Sequence, residues 1–403
     1  MDKGKFVGSV LIVVGTSVGA GMLALPMVSA SSGFILSASL LIVIWFLMML
    51  SALLLLEVNL AFEPYKNHFS SMSFATLGHI GRVVSWISCL FLLYALISAY
   101  IAGSSSLLTT VVESVTKIKI SFAVNASIFT VVLGAAVFWS TRTVDYLNRG
   151  LISIKGGLLV VAIILLFPHI DVTKLSFIPQ HGHGVLFAIP IFLCAFGFHI
   201  IIPTLRNYVG PDVRVLKKII IVGMFVSLII YLLWLVVVLG IVPLAGKISF
   251  AEIAKAHGSI GGLMQSVNQL VKNKWVVTAV NGFSNIAMTT SFLGVALSLF
   301  DFLAEGFKRS NTRVGRSQTA LLTFIPPLLF AIYYPTGFVF ALGYAAIFVS
   351  ILLVIFPALM AYSLRRSLTL ISPYRVFGGT PLLLLILLVG IAFIVIQVIG
   401  TFY

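Results

Sequence analysis

The chain has 403 residues, 60% of them hydrophobic and only 9% charged, and its mean hydropathy is +1.18. A water-soluble domain of this length does not carry such a composition, and the long unbroken apolar runs exclude a β-barrel, whose strands alternate. The net charge of +15 invites a nucleic-acid partner, but its distribution along the chain is a topology signal instead, so no polyanion is expected.

Eleven apolar spans succeed one another, at about 6–31, 34–61, 84–112, 122–140, 149–168, 184–205, 215–242, 275–304, 318–334, 337–363 and 380–402. Each is long enough to cross roughly 30 Å of hydrocarbon as a helix. The first has no A-x-A cleavage site, so it reads as a span and not as a signal peptide. The longest connection, 243–274, predicts two short amphipathic helices on the membrane surface, Ser249 to Ala256 and Ile260 to Val271. Nothing is left over for a soluble domain.

Span one is interrupted by small residues, Gly15-Thr16-Ser17-Val18-Gly19-Ala20-Gly21-Met22-Leu23-Ala24-Leu25-Pro26. Span six is interrupted at Cys194-Ala195-Phe196-Gly197-Phe198-His199, with Pro190 before and Pro203 after. Broken spans at corresponding places in two halves of a chain point to the substrate site of a secondary transporter. A helix broken in mid-membrane exposes N–H groups at the start of one half and C=O groups at the end of the other. The N–H groups suit a carboxylate and the C=O groups an ammonium, so two such breaks side by side suit an amino acid. Bare backbone at that depth must line a cavity or be buried. Thr16, Ser17, Gly19, Ala20 and Gly21 are therefore the candidates for the substrate's charged groups. Ala195, Phe196, Gly197, Phe198 and His199 would form the opposite wall, the two phenylalanines suiting an aromatic ring. The competing reading of Gly15 and Gly19 is close helix packing of the G-x-x-x-G kind.

Among ionisable groups, His199 follows the second break directly and could bond a substrate hydroxyl or carry a proton. Glu57 and Asp301 lie toward the cytoplasmic ends of spans two and eight, as proton carriers or as struts paired with loop Arg or Lys. Glu113 belongs at the outer interface. Lys155 lies six residues past Arg149, about 9 Å into span five on a helical rise; the alternative is that it snorkels to the headgroups. His181 and His183 have a spacing that could hold a metal, but no Cys or carboxylate cluster accompanies them, so a solvated loop is expected and no metal or other cofactor. Cys89 and Cys194 both fall inside spans, which argues against a structural disulfide.

With the N-terminus inside, 18 of the 25 Lys and Arg residues face the cytoplasm and 7 the other side. That bias predicts N-in, C-out topology. Residues 1–170 and 184–363 then form two five-span units of opposite orientation, an inverted repeat, with 380–403 as an extra span. An enzyme would show paired metal ligands, a nucleophile with its base, or a nucleotide motif, and a channel would show rings of filter residues; neither is present.

The motif from Gly15 to Pro26 resembles the opening of the hydroxy/aromatic amino acid permease family. So do Leu53-Leu54-Leu55-Leu56-Glu57-Val58, Phe196-Gly197-Phe198-His199, the stretch from Thr290 to Asp301, and Ala341-Leu342-Gly343-Tyr344-Ala345. The likeness runs end to end. It implies an all-α integral membrane protein of the bacterial inner membrane: eleven helices, a leucine-transporter-type 5+5 inverted repeat and one extra helix. It also implies a proton-coupled importer of an aromatic amino acid, most like the tyrosine-specific members, with membrane lipids as its surroundings. By the same resemblance Tyr94 and Tyr100 on span three and Asn285 and Ser291 on span eight line the site. Sodium-coupled relatives hold their cation between spans one and eight with hydroxyls matching Thr290 and Ser291. Lys155 matches a span-five lysine that fills that place in some proton-coupled relatives, with the proton as coupling ion. A broader-specificity or sodium-coupled symporter is the alternative.

Overall fold

The computed structural model describes residues 3–64, 68–116, 120–177, 182–255, 259–309 and 312–402. His181 and the side chain of His183 lie outside the described residues. In chain order, α1 (Lys3–Ser17) and α2 (Gly21–Ser29) are the halves of span one, followed by α3 (Gly33–Leu60), α4 (Phe69–Thr116), α5 (Phe122–Trp139) and α6 (Thr141–Leu166). The one-turn α7 (Val172–Leu175) precedes α8 (Ile189–Ala195) and α9 (Ile202–Val209), the halves of span six. Then come α10 (Val213–Ile241), α11 (Phe250–Lys255), α12 (Ile260–Val271), α13 (Lys274–Gly306) and α14 (Arg313–Tyr333). Span ten is α15 (Phe338–Val349), a π-helical stretch Ser350–Ile355 and α16 (Phe356–Leu364); α17 (Gly379–Phe402) closes the chain. No strand occurs among the described residues.

Nine helical stretches among the described residues are long and apolar enough to cross a membrane, so the protein is multi-pass. The eleven sequence spans map onto fewer for two physical reasons. The break leaves α1 at 15 residues, while α2 runs on through α3 as one 40-residue stretch, Gly21–Leu60. The start of α14 carries Arg313, Arg316 and Gln318, and its interior Pro326 and Pro327, which lower its apolar content. The helices carry bulky apolar residues on their outer faces as well as inside. Ile42 and Val43 on α3 and Val131 and Val132 on α5 are exposed. Such faces suit lipid, which is as apolar as the core.

Three elements differ from the sequence reading. A separate helix from Phe69 precedes the third span and meets it at a kink at Gly78, where the backbone is non-helical at φ 71° and ψ −161°, so the span itself begins just past Gly78, a few residues before 84. The fifth starts at Thr141, where the Ser140 side chain caps it by accepting the Thr143 N–H. Its first two turns are polar and read as loop in the sequence. The connection 243–274 does form two short helices, but α12 buries Ile260, Leu263, Met264, Val267 and Val271 in the bundle, so it is docked on the protein. There Gly261 N–H donates to Ser106 Oγ of α4 at 3.0 Å.

Candidate functional site

Spans one and six are both unwound where the small residues fall. In span one α1 stops at Ser17 and α2 begins at Gly21. In span six α8 stops at Ala195, Phe196 to Phe198 form a turn, and a 3-10 turn at His199–Ile201 leads into α9. Pro190 and Pro203 each occupy the second position of their half-helix, where a missing N–H costs nothing. The breaks meet: a Cβ on Gly21 would sit 3.6 Å from the Ala195 Cα.

The carbonyl end of α1 is held by two side chains. Lys155 Nζ donates to Val18 O at 2.8 Å and lies 3.5 Å from Gly15 O. Lys155 is 5% exposed. It stands 14 residues from the start of α6 at Thr141, about 21 Å along the helix, which is deeper than the count from Arg149 gave. It does not snorkel. Tyr231 on α10 is fully buried, and its hydroxyl lies 2.6 Å from both Ser17 O and Ala195 O. One phenolic proton thus serves the last carbonyls of α1 and α8 together. The Phe196 ring packs on Tyr231 with centroids 5.0 Å apart.

The amide side of the first break faces α13. Ala20 N–H donates to Ser291 Oγ at 3.1 Å, and a Cβ on Gly19 would lie 2.7 Å from that oxygen. Glycine at 19 is what lets the hydroxyl reach the main chain. Thr290, next to Ser291, is buried, with its hydroxyl on Ala287 O at 3.1 Å. Ser17 Oγ is buried without a partner.

Phe196, Phe198 and His199 are all fully buried. Both ring nitrogens of His199 lack a hydrogen bond; the Met48 backbone on α3 faces it, and the Phe198 ring lies 5.1 Å away. Tyr100 is buried near Cys194 and Tyr231, on the same side of the bundle as the breaks. Gly197 is partly exposed within its turn.

The remaining expected site residues have partners outside the two breaks. Thr16 is exposed and its hydroxyl bonds back to Ile12 O at 2.8 Å, because the helical phase that buries Val13, Val14 and Ser17 points it outward. Tyr94 donates to Leu322 O of α14 at 2.8 Å. That carbonyl lies four residues before Pro326, which has no N–H to give it. Asn285 donates to Asn281 O one turn below it, at 2.8 Å. Asp301 is exposed near the end of α13, beside Phe300, whose ring carries the Arg316 guanidinium at 5.0 Å. Glu57 is buried in a two-pronged pair with Arg365, 2.7 Å on each side, and also accepts the Val376 N–H at 2.7 Å. Two residues on, Asn59 O accepts from Arg206 of α9. This end of α3 therefore ties α9 and the 365–379 loop together. Tyr374 in that loop is pushed up to about 12, by burial first and by the Glu57 charge second, so its phenol stays neutral.

Tyr231 is the residue the sequence reading missed. Its signal was present: a lone phenol amid Ile229, Ile230, Leu232 and Leu233 needs a polar partner when buried. Among the described residues no cluster of His, Cys, Asp or Glu could hold a metal.

The family model described as the tryptophan/tyrosine permease family matches residues 2–397. Tyrosine-specific transport system 1 of Haemophilus influenzae is 36% identical, over 96% of this chain and 95% of its own length. Tyrosine-specific transport system 2 of the same organism is 35% identical, over 98% and 97%. Its tryptophan-specific transport protein is 34% identical, over 98% and 96%. These relatives are transport proteins and not enzymes, and a likeness of this extent makes the chain a member of the tryptophan/tyrosine permease family.

Proposed function

We propose that the protein is a proton-coupled symporter that imports aromatic amino acids, L-tyrosine foremost, across the bacterial inner membrane. It works by alternating access around the two breaks. In this reading the chain has eleven spans with its N-terminus inside and C-terminus outside. Residues 1–170 and 184–363 are the two inverted five-helix units, and 380–403 is the extra span. The substrate carboxylate meets the N–H groups at Gly19 to Gly21, and the ammonium meets the carbonyls of Ser17 and Ala195. The juxtaposition of Gly21 with Ala195 supports this, because it puts the two breaks in one place, where a substrate would exchange for the Tyr231 hydroxyl on the carbonyls and the Ser291 hydroxyl on the Ala20 N–H.

The observation that carries the proton coupling is the Lys155 ammonium on Val18 O at 2.8 Å. A cation tethered to α6 neutralises the carbonyl end of α1, the work a bound sodium would otherwise do. Losing its proton releases that end, which links protonation to the position of the half-helix. His199, fully buried beside the Phe198 ring and the Met48 backbone, is the group that would take a substrate hydroxyl. A site that bonds the phenol rejects phenylalanine strongly, because the loss strands a buried polar group.

The hydroxyls of Thr290 and Ser291 beside the first break support a second reading, a sodium-coupled or broader-specificity symporter. Uptake of labelled tyrosine into proteoliposomes separates the two. It should be driven by an inward proton gradient without sodium, be competed by unlabelled Tyr above Trp, Phe and Ser, and collapse in Lys155→Ala. Dependence on sodium, with Lys155→Ala unchanged at every pH, would retire the proton reading.

A further inference from the structure

The inner half of span one packs against α10 toward the break. Ser17 meets Tyr231 at one end, and Gly223 lies against Val13 so closely that a Cβ would fall 2.6 Å from it. At the other end the two helices part into an open groove of about 440 Å³, lined by Lys3, Phe6 and Val7 of α1 and Val215 and Lys218 of α10. The floor is apolar and each helix sets one lysine on it.

The two lysines differ from their neighbours. Lys5 lies over the Tyr208 ring at 5.1 Å and Lys217 over the Tyr374 ring at 5.0 Å. Lys3 and Lys218 are exposed and have no ion pair or hydrogen bond among the described residues. Asp212, the acidic residue at the start of α10, caps that helix by accepting the N–H groups of Arg214 and Val215 on Oδ1 and pairs with neither lysine. An apolar trough flanked by two free ammonium groups, at the membrane end of two spanning helices, matches one kind of molecule in shape and charge. That molecule has a phosphate at one end and hydrocarbon at the other.

We propose that this groove binds the headgroup and upper acyl chain of an anionic phospholipid of the cytoplasmic leaflet, and that the lipid clamps α1 to α10. The site rests on the N-in topology proposed above. The phosphate bridges Lys3 and Lys218, and Phe6, Val7 and Val215 hold the chain. Because α1 is the half-helix that ends in the break, a lipid bridging it to the unbroken α10 resists its outward swing. Anionic lipid thereby stabilises the conformation in which Tyr231 spans the two breaks.

The test compares purified full-length protein with its Lys3→Gln/Lys218→Gln variant in zwitterionic phosphatidylethanolamine, with and without phosphatidylglycerol. Retained lipid is read by native mass spectrometry and stability by the thermal midpoint. Two lysines near a membrane surface, each worth about a factor of five, predict a loss of about 25-fold in phosphatidylglycerol affinity. The midpoint rise produced by phosphatidylglycerol should vanish in the variant and return in Lys3→Arg/Lys218→Arg. A Lys247→Gln/Lys272→Gln control, on the opposite side, should behave as wild type. Equal phosphatidylglycerol retention in both proteins would overturn the site. Inorganic phosphate giving the same midpoint rise would overturn the lipid, since it has no chain for the trough. Phosphatidylglycerol binding lost by both double variants alike would also overturn it, as mere surface charge. Tyrosine binding, measured in parallel in phosphatidylethanolamine alone, reports on the transport reading separately, because no anionic lipid is then present to bias the breaks.

Discussion

The ammonium of Lys155 on α6 and the carbonyl oxygen of Val18 stand 2.8 Å apart, across 137 residues of sequence. Val18 is the first residue beyond α1, so this bond closes the carbonyl end of a half-helix with a positive charge. The same end is closed a second time by Tyr231 through Ser17 O. Both contacts come from helices outside the broken pair, so the break is supported from two sides.

Lys155→Ala removes the charge and leaves Val18 O without its donor. An unsatisfied buried carbonyl costs about 1–3 kcal/mol. Stability should fall by that amount, and proton-driven uptake should collapse, because the charge that couples protonation to the half-helix is gone. Lys155→Arg should recover little, because a forked guanidinium does not fit a place made for a single ammonium. Initial uptake rates across a pH series check both.

Tyr231→Phe keeps the ring on Phe196 but strips one donor from two carbonyls. Stability should drop by about 1–3 kcal/mol, and tyrosine affinity should change with it, since Ser17 O and Ala195 O then have no shared partner. Thermal unfolding with and without tyrosine measures both quantities on one sample.

Gly19→Ala places a methyl 2.7 Å from Ser291 Oγ, so the hydroxyl must turn away and release the Ala20 N–H. Uptake should be lost or strongly reduced. Gly156→Ala, with nothing within 4 Å of its added Cβ, should transport normally. Ser291→Ala in the Gly19→Ala background should return part of the stability, a coupling that a double-mutant cycle reads directly.

Glu57→Gln leaves the Arg365 guanidinium, 8% exposed, without its countercharge. Breaking a buried pair by removing one partner costs about 3–5 kcal/mol. The expected outcome is poor expression or a large fall in thermal midpoint, independent of pH between 6 and 8. Loss of proton coupling in a protein of normal stability would instead make Glu57 a proton carrier. The midpoint and the pH profile of uptake distinguish the two.

The breaks were legible in the sequence because Gly19, Gly21, Gly197, Pro190 and Pro203 are local signals, each with a local reason to interrupt a helix. Lys155 was legible as a charge within an apolar run. Its depth was not, since the polar first turns of α6, from Thr141 to Asn148, look like a loop until Ser140 is seen to cap them. Tyr94 shows the harder limit. Its hydroxyl is fixed by a carbonyl that Pro326 orphans on another helix, and nothing near Tyr94 announces that partner. Thr16 lies one residue from the break, and helical phase alone decides that it faces outward while Ser17 is buried. Tyr231 bonds across 214 and 36 residues to two breaks at once, a convergence that no single stretch of chain contains.

The most direct test of the account is a structure with L-tyrosine bound. The account predicts that the carboxylate lies on the main-chain N–H groups between Gly19 and Gly21, and that the ammonium lies on the carbonyls of Ser17 and Ala195 beside a displaced Tyr231 hydroxyl. Tyrosine bound away from both breaks, with Tyr231 still joining them, would contradict it.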